Sequence, residues 1–145
     1  MSFFEIKDHI AIITGSAQGF GKEFAKRLLQ SGAKVCISDV NQSEGQKTTD
    51  EFIQVFGKDN VTFKKCNVTK QEDWDGLWNH AEDCFGDQVT LLINNAGVGP
   101  QFGWKACVDI MLVGVSIGVF CVRSSSINWY KKEIRNLRLF CHSSC

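Results

Sequence analysis

Apolar residues change their period several times along this chain. "HIAIIT" (9–14) is a short β-branched run of the kind shown by a strand buried on both faces. A glycine-rich turn follows, then "EFAKRLLQSG", where Phe24 with Leu28 and Ala25 with Leu29 repeat at helical spacing and Gly32 supplies a stop. "KVCISD" (34–39) reads as a second strand, residues 43–56 as a helix ending at Gly57, and "VTFKKCNV" (61–68) as a third strand. Thr69 and Glu72 stand at capping-box spacing before a helix that runs to Phe85 and stops at Gly86. "QVTLLIN" (88–94) is a fourth strand, and Trp104 to about Arg123 a fourth helix. The order β-α-β-α-β-α-β-α predicts an α/β fold with a parallel sheet and helices on both faces.

The turn between the first strand and the first helix carries the chemistry. In "TGSAQGFG" (14–21) the glycines fall at 15, 19 and 21. Gly15 permits a tight exit from the strand, Gly19 lets backbone approach a phosphate without an intervening Cβ, and Gly21 allows close packing of the helix on the sheet. The helix N-terminus offers unpaired N–H groups and a partial positive charge to an anion. Ser16, Gln18 and Phe20 complete the loop as candidate cofactor contacts. Asp39 ends the second strand, followed by Val40. A carboxylate there accepts hydrogen bonds from adenosine ribose hydroxyls and repels a 2′-phosphate, and no Arg or Lys in the loop or just after Asp39 offsets that repulsion. The cofactor expected is NAD rather than NADP.

With "TGSAQGFG", Asp39, "CNVT" and "NNAG" in order, residues 6 to about 122 resemble the short-chain dehydrogenase/reductase family. "LLINNAGV", Trp104 and "VDIMLVGV" look most like its branch of NAD-dependent hydroxyprostaglandin dehydrogenases. The resemblance implies a Rossmann-type doubly wound parallel sheet, here cut after about four β-α units. It also implies hydride transfer between NAD(H) and a small secondary alcohol or ketone, such as a hydroxylated lipid of the prostaglandin type. Asn67 and Val68 stand where the family has Asp-Val touching the adenine, and Asn67 keeps a carbonyl oxygen for the adenine amino group. Asn94, Asn95, Ala96 and Gly97 match the motif that supports the central strand and lines the ribose pocket.

Two departures stand out. Where the fourth helix of the family has a D-x-N-L pattern whose Asn holds a relay water, this chain has Asp109, Ile110, Met111 and Leu112, and Met111 cannot position a water. The family's catalytic Ser, Tyr and Lys are sought in "SSSINWYKK" (124–132). A lysine that lowers the tyrosine's pKa must share its helix face, four residues on, yet Tyr130 plus four is Ile134. Ser126 precedes Tyr130 by only four residues. No catalytic residue is assigned.

Charge separates the tail from the rest. Residues 1–122 carry 11 Lys/Arg against 15 Asp/Glu, whereas residues 123–145 carry 5 against 1. The division expected is an incomplete dinucleotide-binding domain (1–122) and a divergent basic tail (123–145), as in a truncated form of a longer enzyme. Ile127, Tyr130, Ile134 and Leu137 lie at the spacing of a basic amphipathic helix. Truncation implies that the fourth strand is left as an open sheet edge and the fourth helix uncovered, inviting homo- or hetero-oligomers.

The remaining composition narrows the classes. Seven cysteines without a CxxC fit buried free thiols in a reducing, cytoplasmic compartment better than a disulfide scaffold. "CHSSC" (141–145) offers Cys141, His142 and Cys145 but no fourth zinc ligand, so no metal is assigned. The N-terminus lacks a signal-peptide pattern, and the thirteen apolar residues from Ile110 to Val122 fall short of the roughly 20 that a membrane span needs. A formally neutral chain is not expected to bind nucleic acid. The expectation is thus an NAD-dependent oxidoreductase-type chain that binds NAD with little or no turnover. The alternative is a nucleotide-binding or regulatory fragment that associates with a full-length relative.

Overall fold

Strand β1 (Ile10–Thr14) is buried at all five positions and forms the middle of the sheet. Alternation at period two sends Ile10 and Ile12 to one face and Ala11 and Ile13 to the other. In the computed structural model, which describes residues 5–127 and 138–141, β1 pairs in parallel with β2 (Lys34–Asp39) and β4 (Leu91–Asn94). β3 (Val61–Lys65) flanks β2 and β5 (Arg138–Cys141) flanks β4, giving the order β3-β2-β1-β4-β5.

Each face has its own core. Ala11, Ile13, Val35 and Ile37 meet Leu28 and Leu29 of α1 (Gly19–Gln30) and Phe52 of α2 (Gln42–Phe56). On the other face Ile12, Cys36 and Leu92 meet Trp74, Leu77 and Trp78 of α3 (Gln71–Phe85), with Cys121 from the helical run that follows β4. This is the doubly wound α/β sheet that the alternating sequence implies. Trp74 is fully buried, and its indole N–H donates to the Val68 carbonyl at 2.8 Å, so the ring enters the core without an orphaned donor.

The fourth helix is not uniform. It begins as α4 (Trp104–Val108), widens into a π-helical turn (Asp109–Gly114) and continues as α5 (Val115–Ile127). Its glycines make the contact with the domain. A Cβ on Gly114 would stand 2.8 Å from a Val68 methyl, and one on Gly118 would stand 2.6 Å from the Trp74 ring. The run Trp104–Cys121 spans 18 residues at mean hydropathy 1.7, long and apolar enough by length and composition alone to cross a membrane; it takes in Lys105 and Asp109 before the thirteen-residue apolar stretch. Only 17% of it is buried, and Trp104, Leu112 and Phe120 are exposed.

Four expectations need correction. Lys70, not Thr69, is the N-cap of α3 and no side chain caps it; Thr69 instead donates its hydroxyl to Asn67 Oδ1 at 2.8 Å. Strands β3 and β4 are shorter than their apolar runs, because Cys66–Val68 and Gln88–Thr90 leave the ladder as loops. The fourth strand is not an open edge: Leu91, Leu92, Ile93 and Asn94 pair with Arg138, Leu139, Phe140 and Cys141 in parallel register. The helix also runs past residue 122 to Ile127. Tyr130, Ile134 and Leu137 of the expected amphipathic helix lie outside the described residues.

A clasp joins the exits of β1 and β4. Thr14 Oγ1 accepts from the amides of Asn95 and Ala96, both at 3.1 Å. The Asn95 side-chain amide donates back to the carbonyls of Thr14 (3.0 Å) and Gly15 (2.9 Å). Replacing Asn95→Leu removes both donations and leaves two carbonyls short of a partner, so urea unfolding is expected to show a loss of about 1–3 kcal/mol. Gly118→Ala presses a methyl into the Trp74 ring and is expected to cost a similar ~1–3 kcal/mol in the same measurement.

Candidate functional site

A cleft of about 1110 Å³ opens at the C-terminal ends of the strands, slightly above the usual ~300–1,000 Å³ of a small-molecule site. Five chain segments build it. The first loop contributes Gly15, Gln18 and Phe20, and the end of β2 contributes Asp39, Val40 and Asn41. The loop after β3 adds Asn67, Val68 and Thr69, and the exit of β4 adds Asn95, Ala96 and Gly97. Cys107, Asp109 and Met111 of the fourth helix stand on the far wall with Pro100 and Phe102. Ligands of open parallel sheets bind at this end of the strands.

The loop is held from three sides. Ser16 is fully buried; its hydroxyl donates to Ile13 O at 2.7 Å and its amide to Ser38 O at 3.0 Å. Ala17 N donates to Asp39 Oδ2 at 3.1 Å, and Ala17 O accepts from the buried Thr48 hydroxyl of α2 at 2.7 Å. On the third side the loop meets β4. Gly15 has φ of +62°, and a Cβ there would stand 2.8 Å from Ala96 Cα. A side chain on Gly21 would strike Gly15 O and approach Asn95 Nδ2 to 2.6 Å. These two positions demand glycine on both packing and backbone grounds, or on packing alone.

Ser16, Gly19, Gly21 and Asn94 are not among the residues that line the cleft. Ser16 and Gly21 shape the loop from beneath. Gly19 takes φ of +60° at the start of α1. Asn94 is buried, with Oδ1 only 2.9 Å from where a Gly118 Cβ would stand, so it faces the helix layer. Its neighbour Asn95 lines the cleft instead. Sequence reasoning missed Thr48 and Asn41, and a threonine in mid-helix gives no signal of the loop it holds.

The local electrostatics suit an anion at one point and a diol at another. The N-cap of α1, Gln18, makes no side-chain capping bond and no acidic residue occupies the first turn, so the helix dipole there is unopposed. By contrast α2 is closed by Asn41, whose side chain accepts from Glu44 N. Asp39 uses one lone pair of each oxygen on Ala17 N and Asn41 N (3.0 Å), leaving acceptor capacity on both. Asp39 and Asp109 are the charged side chains on the cleft wall, which carries no Lys or Arg among the described residues. Lys105 pairs with Asp109 at 3.1 Å on the solvent side.

Asn67 behaves differently from expectation. Its Oδ1 accepts from the amide of Thr69 (3.1 Å) and from the Thr69 hydroxyl, so the acceptor foreseen for adenine is already used within the loop. The Cys66 thiol behind it is buried and pushed up to about 12, first by desolvation and then by the Asp73 carboxylate. It stays protonated and inert.

Ser124, Ser125 and Ser126 lie on the helical backbone of α5, while Tyr130, Lys131 and Lys132 fall outside the described residues. Among the described residues no group of three or more His, Cys, Asp or Glu is arranged to hold a metal, and His142 and Cys145 lie beyond them. Cys36, Cys66, Cys84, Cys107 and Cys121 are free thiols.

Comparison with known proteins agrees with this geometry. Residues 9–125 match the family described as short chain dehydrogenase. The 15-hydroxyprostaglandin dehydrogenase [NAD(+)] of Bos taurus is 35% identical over 115 residues, which is 79% of this chain and 43% of that protein. A cyclohexanol dehydrogenase of an Acinetobacter species is 32% identical over 120 residues, covering 77% of this chain and 47% of its own. A short chain dehydrogenase/reductase from Burkholderia phymatum, solved in complex with NAD, superposes with a TM-score of 0.76 at 28% identity, over 84% of this chain and 45% of that one. The chain thus spans less than half the length of these relatives. On the matched residues and the fold together, it belongs to the short-chain dehydrogenase family.

Proposed function

We propose that the cleft binds NAD(H) and that the chain is built for the cofactor half of an NAD-dependent hydride transfer on a secondary alcohol or ketone. The observation that carries this reading is the loop of Gly15–Gly21, pressed against Ala96 with an uncapped helix start above it. The pyrophosphate would rest on the amides at the start of α1. The adenosine ribose would donate to the open lone pairs of Asp39, with Val40 and Val68 beside the adenine. Gly97, Ala96 and Met111 would face the nicotinamide end. When bound, NAD supplies the hydride acceptor; the chain's own residues orient it and exclude water with the apolar wall of Ile110, Phe102 and Pro100.

The naming of the Bos taurus relative supports a hydroxylated lipid such as a prostaglandin as the substrate class, and the cyclohexanol dehydrogenase supports a cyclic secondary alcohol. Turnover by this chain alone is expected to be low or absent. Met111 takes the place of an amide side chain in the relay, and no lysine stands four residues beyond Tyr130. A second reading is favoured by the exposed Trp104, Leu112 and Phe120: a regulatory fragment that pairs with a full-length relative through the fourth helix. The free thiols suit a cytoplasmic location.

Fluorescence titration tests the cofactor reading. NADH is expected to bind more tightly than NADPH, and Asp39→Ser is expected to weaken NADH by roughly tenfold to a hundredfold, the loss of hydrogen bonds to a charged acceptor. NADPH should lose little or gain. Equal binding of both cofactors by the parent protein and the variant would contradict the assignment. Adding a secondary alcohol and NAD while following nicotinamide absorbance then distinguishes a working enzyme from a binding fragment.

A further inference from the structure

On the edge strand β3 and the last turns of α3, away from the residues that line the cleft, a thiol, an imidazole and a hydroxyl come together. His80 Nε2 lies 2.8 Å from Thr62 Oγ1 and 3.6 Å from Cys84 Sγ, and Thr62 Oγ1 is 3.7 Å from the same sulfur. His80 and Cys84 share a helix face at a spacing of four. Thr62 reaches them from β3, where it pairs in register with Cys36. Cys84 is exposed, whereas Thr62 and His80 are half-buried.

The environment keeps the ring in its neutral form. Desolvation lowers the His80 pKa, and the Lys64 cation on β3 acts in the same direction. The Asp83 carboxylate on α3 and a hydrogen bond with the Phe63 backbone oppose them without reversing the shift. A neutral imidazole beside a thiol can take its proton, and only the thiolate is a nucleophile. The other described thiols lack this arrangement. Cys36, Cys66 and Cys121 are buried, and burial pushes each thiol up. Cys107 is half-buried, its Sγ directed at the Val98 and Gly99 carbonyls.

We propose that Cys84, His80 and Thr62 form a covalent modification site for α,β-unsaturated carbonyl compounds. The thiol proton passes to His80 Nε2, and the protonated ring then donates to Thr62 Oγ1, which frees the Thr62 hydroxyl to donate to the sulfur. The thiolate forms an S–C bond at the β-carbon of the acceptor, and the π pair of the C=C bond moves to the α-carbon. His80 returns its proton there. No atom is lost and no oxidant is needed. The same imidazole performs both proton transfers, which an addition requires and an oxidation does not.

The test is timed alkylation of the full folded chain with N-ethylmaleimide at neutral pH, read by peptide mass mapping. Cys84 is expected to be modified first among the five described cysteines. His80→Gln is expected to slow Cys84 modification about a hundredfold, the lower end of the range for a positioned general base, and Thr62→Val to slow it less. Circular dichroism verifies that each variant is folded. Should His80→Gln fail to fold, the order of modification in the parent chain and the Thr62→Val rate still decide. Faster modification of Cys107 than of Cys84 would overturn the proposal, as would parent rates in the folded variants.

Discussion

Everything in this molecule is arranged around a place with no room for a side chain. Where β1 leaves the sheet, Gly15 passes against the backbone of Ala96, and Gly21 passes against both Gly15 and Asn95. The approach is that close because four hydrogen bonds join Thr14 and Gly15 to Asn95 and Ala96 across the two strand exits. A Cβ at Gly15 would push the fourth strand's exit away and spread the two loops that make the cleft. The shape of the cleft is therefore a consequence of how tightly two neighbouring strands end, and glycine is the cost of that closeness.

The rest of the fold holds those strand ends still. Two separate apolar cores, one on each face, fix β1 from both sides, and Trp74 fills the layer beneath the fourth helix. Gly114 and Gly118 let that helix come down on Val68 and Trp74, close to the cleft wall formed by Ile110 and Met111. One row of helical positions is thus small and seated, while Trp104, Leu112 and Phe120 on the same run remain outside. The thiols follow the same division: those inside the layers are protonated by burial, and the one at the rim of α3 has an imidazole for company.

Much of this was legible in the residues. Period changes from two to 3.6 marked each strand and helix because each element buries one face or two, and "TGSAQGFG" and Asp39 marked the cleft because their chemistry is local. What the sequence hid was non-local. Nothing around Thr48 announces that it holds Ala17, thirty-one positions away. The choice between Asn94 and Asn95 depends on which one the pleat turns toward the helix layer. Asn67 promised an acceptor that Thr69 had already taken, a competition visible only once the loop is folded. The edge of β4 was misjudged for a similar reason: Arg138–Cys141 has no pattern strong enough to read as a strand until its partner is known. Over its matched residues the chain belongs to the short-chain dehydrogenase family, and in "SSSINWYKK" the position four beyond Tyr130 is Ile134 rather than a lysine.

The most direct measurement is a backbone amide NMR titration with ADP-ribose, which carries the ribose and pyrophosphate but no nicotinamide. The account predicts saturable shifts concentrated at Gly15–Gly21, Asp39–Asn41 and Asn95–Gly97. A folded protein whose loop amides ignore ADP-ribose at millimolar concentration, or whose shifts gather on another face, would contradict it.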